Sequence, residues 1–245
     1  MQRLARIAAV TAFVTTPVSR SPLSYAIVFL WPVILLYMYW LIGGMRLGRH
    51  VLFGSLVAFA LNSGVVSLPQ RVLDYRSRHL QDMFVASPVD QLSYMLGHGF
   101  SRLLYALPGC VCALAILLLQ REVPIRSLPL VLLVVLLSWV IGCAIGFFVA
   151  SRAQTSAQLS AMANLLGLLL VLVPPVMYPL ELIASGWRSI SLLLPSSSAA
   201  HIIRIASGAS GAANGSMLAL AWAVLVLWLC AGIALCSRAS TWREE

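Results

Sequence analysis

Lysine is missing altogether, and the sixteen basic residues are all arginine. Acids are scarce too, seven in 245 residues, so charged side chains make up 9% of the chain against about 25% in ordinary soluble domains. With 61% hydrophobic residues and a mean hydropathy of +0.95, that shortage excludes a soluble globular domain and leaves a multi-span membrane protein. The net charge of +9 does not signal nucleic-acid binding, because the arginines are scattered singly through loops and form no basic stripe on one element. The five cysteines lie in or at the ends of expected spans, with no CxxC pair and no histidines at ligand spacing, which argues against both metal and disulfide frameworks.

Several catalytic signatures are also missing. There is no HExxH and no GxSxG, and no pair of acids shares a helix face, so a membrane hydrolase is excluded. None of Asp74, Asp82, Asp90, Glu122, Glu181, Glu244 and Glu245 falls within an expected span. Proton- and sodium-coupled transporters keep an ionisable group near the midplane to bind the coupling ion, so this chain needs another energy source. A GxxxxGK[ST] loop is likewise missing, so an ATPase driving it has to be a separate polypeptide.

What is present is organised around residues 73–100, LDYRSRHLQDMFVASPVDQLSYMLGHGF, a long polar passage between two apolar runs. Leu73, Leu80, Met83 and Phe84 fall at i, i+7, i+10 and i+11, which predicts a short amphipathic helix, and Ser87-Pro88 predicts its end. The passage reads as a cytoplasmic loop that docks onto something soluble, with a solvated linker helix in the headgroup layer as the plain alternative.

Residues 2–20 predict an interfacial helix whose apolar face is Leu4, Ile7, Ala8, Val14 and Val18, with Arg3, Arg6 and Arg20 placed to meet lipid phosphates. It mimics a signal peptide but lacks a small-x-small cleavage site, so it is expected to stay in the chain. Spans are expected at 23–42, closing at Gly43-Gly44, and at 51–68, 103–119, 128–150, 158–173 and 217–235. Gly142 and Gly146 form a GxxxG that invites close approach of another helix. Between the fifth and sixth spans, residues 174–205 are half apolar and broken by Pro179, Gly186 and Pro195; their apolar pieces are too short to span, which predicts a re-entrant helical hairpin. With both termini inside, ten arginines lie on the cytoplasmic side and six outside, the expected direction of bias.

The run LQDMFVASPVDQLSYMLG, a short helix ending in a small residue followed by S-P-V, resembles the loop between the second and third spans of ABC-2 type transporter permeases. The segment PPVMYPLELI, with a following Trp-Arg pair, LLP and IIR, is similar to the extracellular re-entrant segment of the same exporters. The resemblance implies an all-α integral membrane fold over 1–245: six transmembrane helices, an N-terminal interfacial helix (1–22), a cytoplasmic coupling helix (72–100) and an extracellular re-entrant hairpin (174–205). It further implies the membrane subunit of an ATP-driven exporter of an amphiphilic substrate (drug, lipid or glycolipid-like) in a prokaryotic inner membrane. Its implied partners are two copies of an ABC ATP-binding subunit, which hold the ATP and magnesium, a second permease chain that is identical or homologous, and membrane lipid. No cofactor is expected in this chain. A polysaccharide exporter within the same family, and a non-transport scaffold or assembly factor, are the alternatives. One departure is the basic run Arg76-Ser77-Arg78-His79 where many members carry acids.

By that resemblance Arg76, Arg78, Leu80, Asp82, Met83, Phe84, Ser87 and Pro88 form the contact with the ATPase. Asn62 and Asn164 are candidates for the substrate path, with hydrogen bonding between helices as the plain alternative. Tyr178, Glu181 and Trp187 sit where an outer gate is expected; a solvated loop acid and interfacial aromatic anchors are the alternatives.

Overall fold

The computed structural model describes residues 2–19, 22–78, 80–85, 87, 89–153, 155–209 and 215–239, and for most of 22–47, as for Arg76, Gln81, Asp82 and Val85, the backbone alone. All regular structure among them is helical: α1 (Gln2–Ser19), α2 (Pro22–Asn62), α3 (Leu68–Ser77), α4 (Leu80–Val85), α5 (Gln91–Leu119), α6 (Leu128–Arg152), α7 (Ser156–Leu172), α8 (Ser185–Ser191), α9 (Pro195–Ala206) and α10 (Gly215–Ala239). Four segments, Gly48–Tyr75, Ser93–Leu119, Ile125–Arg152 and Gly215–Leu235, are long and apolar enough to cross a membrane; α7, at 17 residues, is shorter.

Gly48–Tyr75 is the most enclosed of the four and forms the hub. It joins the end of α2 to α3 through a π-helical turn, Ser63–Ser67, and the glycines explain how the neighbouring helix reaches that turn. A methyl group added at Gly142 would fall on the Leu61 carbonyl, one at Gly146 on the Gly64 carbonyl, and one at Gly64 on the Gly142–Cys143 backbone. The GxxxG of α6 therefore packs backbone to backbone against the π turn of its own chain. Phe53, Leu56, Val134, Ile141, Ile202 and Leu225, drawn from four helices, fill the main core.

The turn expected at Gly43-Gly44 is not there: Pro22–Asn62 is one helix. Glycine costs a helix only about 1 kcal/mol relative to alanine, too little to break so apolar a run without a turn-forming neighbour. Most side chains of the expected first span, 23–42, lie outside the described residues. The polar passage is also more helical than its sequence predicts, since α3 runs on to Ser77 and α5 starts at Gln91.

The buried face of α1 differs in part from expectation. Val10 and Val14 are buried, Val10 against Gly97 of α5, while Leu4 is 73% exposed. Thr11 ties the same two helices by donating from Oγ1 to the Gly97 carbonyl at 3.3 Å.

After α7 the chain unwinds through Pro174 to Pro179, forms a single 3-10 turn at Leu180–Leu182, and then builds α8 and α9. Trp228 Nε1 donates to the Leu193 carbonyl at 3.0 Å. Trp228 lies about 20 Å along α10 from Gly215, by rise per residue. Leu194 packs with Leu61, Val65 and Leu170. The α8–α9 corner thus reaches well down the bundle, and α9 climbs back so that Arg204 meets His50 near the start of the hub segment.

Candidate functional sites

Two polar regions occupy opposite ends of the hub helix. Tyr75 belongs to one and His50 to the other, about 37 Å apart along the axis.

At the loop end, Asp74 is bracketed by arginines: Arg78 Nε donates to Oδ1 at 2.9 Å and Arg71 Nη1 to Oδ2 at 3.4 Å. Ser77 Oγ donates to the Asp74 carbonyl at 3.0 Å, and α3 stops there. The short helix α4 ends at Val85, where Ser87 brings both its backbone N–H (3.2 Å) and its hydroxyl (2.7 Å) onto the Phe84 carbonyl. Pro88 itself lies outside the described residues. Asp90 then opens α5. Its Oδ1 accepts from Ser93 Oγ at 2.6 Å and faces Arg6 Nη1 at 3.9 Å, and the Ser93 hydroxyl holds the carboxyl below the usual aspartate range.

The predicted apolar stripe does not act as one face. Leu80 and Phe84 turn inward onto Val10, Val14 and Tyr75. The Phe84 ring meets Phe13 at 5.6 Å and Tyr94 at 5.5 Å between centroids, both edge-on, and His98 lies in the same cluster, 4.4 Å from Tyr94 and 5.2 Å from Tyr75. Met83 alone of the stripe points out, at 61% exposed. The side chains of Arg76 and Asp82 lie outside the described residues. Spacing missed the inward turn because Phe13, on α1, is remote in sequence.

In the middle of the bundle the two asparagines separate. Asn62 is half-buried at the start of the π turn, and its Oδ1 would lie 2.9 Å from a Cβ on Gly167, so it faces α7 closely; Asn164, one turn earlier on α7, is exposed.

At the hairpin end, Tyr178, Glu181 and Trp187 lie on the unwound segment, the 3-10 turn and α8. The Tyr178 hydroxyl donates to the Val173 carbonyl at 3.3 Å, while Glu181 and Trp187 are exposed. Arg188 clasps the 3-10 turn through backbone oxygens, Nε to Ile183 at 2.9 Å and Nη2 to Glu181 at 3.0 Å. What is brought together here is a residue the sequence reading left in an outer loop. Arg204 is 1% exposed; its Nη1 donates to the Pro175 carbonyl at 2.8 Å and its Nη2 to the carbonyls of Val176 and, at 3.4 Å, His50. A methyl group at Gly54 would strike the Val176 carbonyl, so that glycine lets the unwound strand lie directly on α2. Nearby, Arg49 Nη1 pairs with Glu122 Oε2 at 3.8 Å. A signal for Arg204 was present, since Ser197, His201 and Arg204 fall at i, i+4 and i+7 and so share one helix face.

Residues 47–236 match the family described as ABC-2 family transporter protein. The chain belongs to the ABC-2 transporter family. No curated protein matches it. As an ABC-2 protein it is a membrane permease of an ABC transporter, an integral membrane chain that works with an ATP-binding partner subunit. For this ABC-2 permease the segments Gly48–Tyr75, Ser93–Leu119, Ile125–Arg152 and Gly215–Leu235 are the ones long and apolar enough to cross the membrane.

Proposed function

We propose that this permease exports an amphiphilic substrate, coupling ATP hydrolysis in a pair of ATP-binding subunits to movement of the α5 and α9 ends of the bundle. The observation that carries the reading is the way α4 is held. Phe84 locks this six-residue helix to α1 and α5 through aromatic contacts, while the neighbouring Met83 remains exposed. A partner pressing on Met83 therefore moves Phe84, Tyr94 and His98 as one packed unit, and the last two lie in an apolar helix long enough to span.

The working complex on this reading holds two permease chains, identical or homologous, and two ATPases in a prokaryotic inner membrane, with the α3–α4 loop in the cytoplasm and α8–α9 re-entering from outside. The six-span arrangement follows from a length argument. If Gly48–Tyr75 crosses the bilayer, a straight α2 carries residues 23–42 some 30 Å or more into water, by rise per residue. A turn near Gly43-Gly44 on insertion into the bilayer, where this structure has a continuous helix, would remove that cost. Asn62, facing α7, and Asn164 line the path, and Tyr178, Glu181 and Trp187 form its outer rim.

The test is co-expression with an ATP-binding subunit encoded beside it, followed by purification and reconstitution. Export into inverted vesicles that needs ATP and survives an uncoupler supports the proposal. Transport abolished by an uncoupler at constant ATP, or a purified chain that brings no ATPase with it, overturns it.

A further inference from the structure

Helix α9 buries a stripe that its sequence would send to water. Ser197, His201 and Arg204 share one face, and they are 1%, 8% and 1% exposed, packed under the unwound Pro174–Met177 strand and against α2. Arg204 spends its Nη atoms on three carbonyls, which leaves its Nε–H without a partner. The same is true of both ring nitrogens of His201, the hydroxyls of Ser196 and Ser197, and Nδ1 of His50. A buried donor or acceptor that nothing meets has given up its hydration without return, so each of these groups calls for a partner. The set is rich in donors, because a guanidinium only donates and histidine and serine each have a proton to give. It is also short of negative charge. Among the described residues no carboxylate pairs with Arg204; Glu122 is paired with Arg49, and Glu181 acts on His50, His201 and Arg204 only through space, from an exposed position at the rim.

We propose that Ser197, His201 and Arg204 form a binding site for an anionic group, a phosphate or carboxylate, carried as the head of the exported amphiphile. The proposal rests on the exporter reading and narrows its substrate class. A single anion accepts from the Arg204 Nε–H, the Ser197 hydroxyl and a His201 N–H, and neutralises a guanidinium that the protein leaves without a counter-ion. The fold also orients the ligand. Arg204 sits at the hairpin end of α9, whereas the other end, at Leu194, is surrounded by Leu61, Val65 and Leu170, so a head at Arg204 has an apolar route beside it for the tail. A neutral or cationic head finds neither a charge partner nor enough acceptors. The stripe is closed over in this packing. Access comes as α9 swings at its C-terminal turn, where Gly208 holds φ at 73° and the Ala209 N–H closes onto the Arg204 carbonyl at 2.9 Å.

The experiment uses the purified full chain in a nonionic maltoside detergent and follows its thermal midpoint with added dodecyl phosphate, inorganic phosphate or octaethylene glycol monododecyl ether. The expected result is a saturable rise with dodecyl phosphate and none with the nonionic ether. Ser197→Ala combined with His201→Ala should weaken the apparent affinity at least tenfold. Inorganic phosphate acting equally well makes the ligand a free anion, and silence from it makes the ligand an amphiphile's head; both outcomes support an anion site. His201→Asp guards against a double variant that fails to fold: it places a carboxylate one turn from Arg204 on the same helix face, so the midpoint should be raised without ligand and respond no further. A wild-type response to the ether, unchanged affinity in the double variant, or a His201→Asp chain that responds like wild type overturns the proposal. Failure here with the ATPase still co-purifying leaves the permease reading intact, whereas saturable binding without any ATPase removes the exporter reading and keeps the site.

Discussion

Arg204 Nη1 donates to the carbonyl oxygen of Pro175 at 2.8 Å, so a charge near the end of α9 meets a carbonyl without a helical donor, because the chain unwinds after α7 and the residue four positions on, Pro179, has no N–H. Proline has no N–H and breaks the helical ladder behind it, and in a membrane interior the freed carbonyls need a donor from elsewhere. Arg204→Ala removes the donor to three carbonyls at once. It should cost about 3 kcal/mol or more, at about 1–3 kcal/mol per buried group left unmet. Arg204→Lys should recover part of that. The check is the thermal midpoint of the purified chains, and equal stability of wild type and Arg204→Ala would show that the carbonyls are satisfied without it.

Phe84 and Met83 should separate packing from partner contact. Phe84→Ala opens a void among Phe13, Tyr75, Tyr94 and His98 and should cost about 3 kcal/mol, as large-to-small changes in cores do. That loss should appear as lower accumulation of the chain and easier proteolysis of α1. Met83→Glu, on the exposed side, should leave accumulation unchanged and reduce recovery of the ATPase. If Met83→Glu retains the ATPase and its substrate-stimulated turnover, the outward face of α4 is not the contact.

At Gly146 and Gly142 there is no room for a side chain. Gly146→Leu has backbone on the far side, at Gly64, and nothing flexible to yield, so a cost of about 3 kcal/mol or more is expected from overpacking. Gly186→Ala, which meets nothing within 4 Å, is the control and should be neutral. Equal yields of folded chain from the two variants would refute the packing of α6 against the π turn.

Sidedness is best read from exposed serines. Ser77 and Ser189 are both exposed and lie in the two polar regions. In a background free of native cysteine, Ser77→Cys should react only from the cytoplasmic side and Ser189→Cys only from outside. A third probe, Gly44→Cys, should label from outside if the chain turns there. Labelling of Ser77→Cys and Ser189→Cys from one side would remove the proposed topology.

Asp90 gives a pH prediction. Its folded carboxyl titrates below the ordinary value of about 3.9 because the Ser93 hydroxyl at 2.6 Å favours the charged form. A depressed folded value contributes stability that is complete above the unfolded pKa and is lost as pH falls through the folded one, so the window lies below about pH 4. Ser93→Ala should move the Asp90 titration upward toward the ordinary value, seen by carboxyl carbon NMR of labelled aspartate. An unchanged midpoint would mean that the hydroxyl is not the cause.

Much of this protein is written in its sequence. The scarcity of charge settles a membrane fold by itself, since so few polar groups leave no way to face water. Ser87-Pro88 marks the end of α4, and Gly142 with Gly146 marks a close helix contact, because helix breaking and small-residue packing are local properties. Length and hydropathy place α6 and α10 within a few residues. The continuous Pro22–Asn62 helix is where local reading overreached, for Gly43-Gly44 weakens a helix without ending it.

Only the tertiary structure decided which way the polar and aromatic side chains turn. Phe84 faces inward because Phe13, more than seventy residues away, is there to receive it. Arg204 is buried because Pro175, Val176 and His50 bring three carbonyls to one point. Periodicity reports which residues share a face of one helix, and it carries no information about what that face meets; for α9 that partner turned an expected loop arginine into the buried centre of the hairpin end.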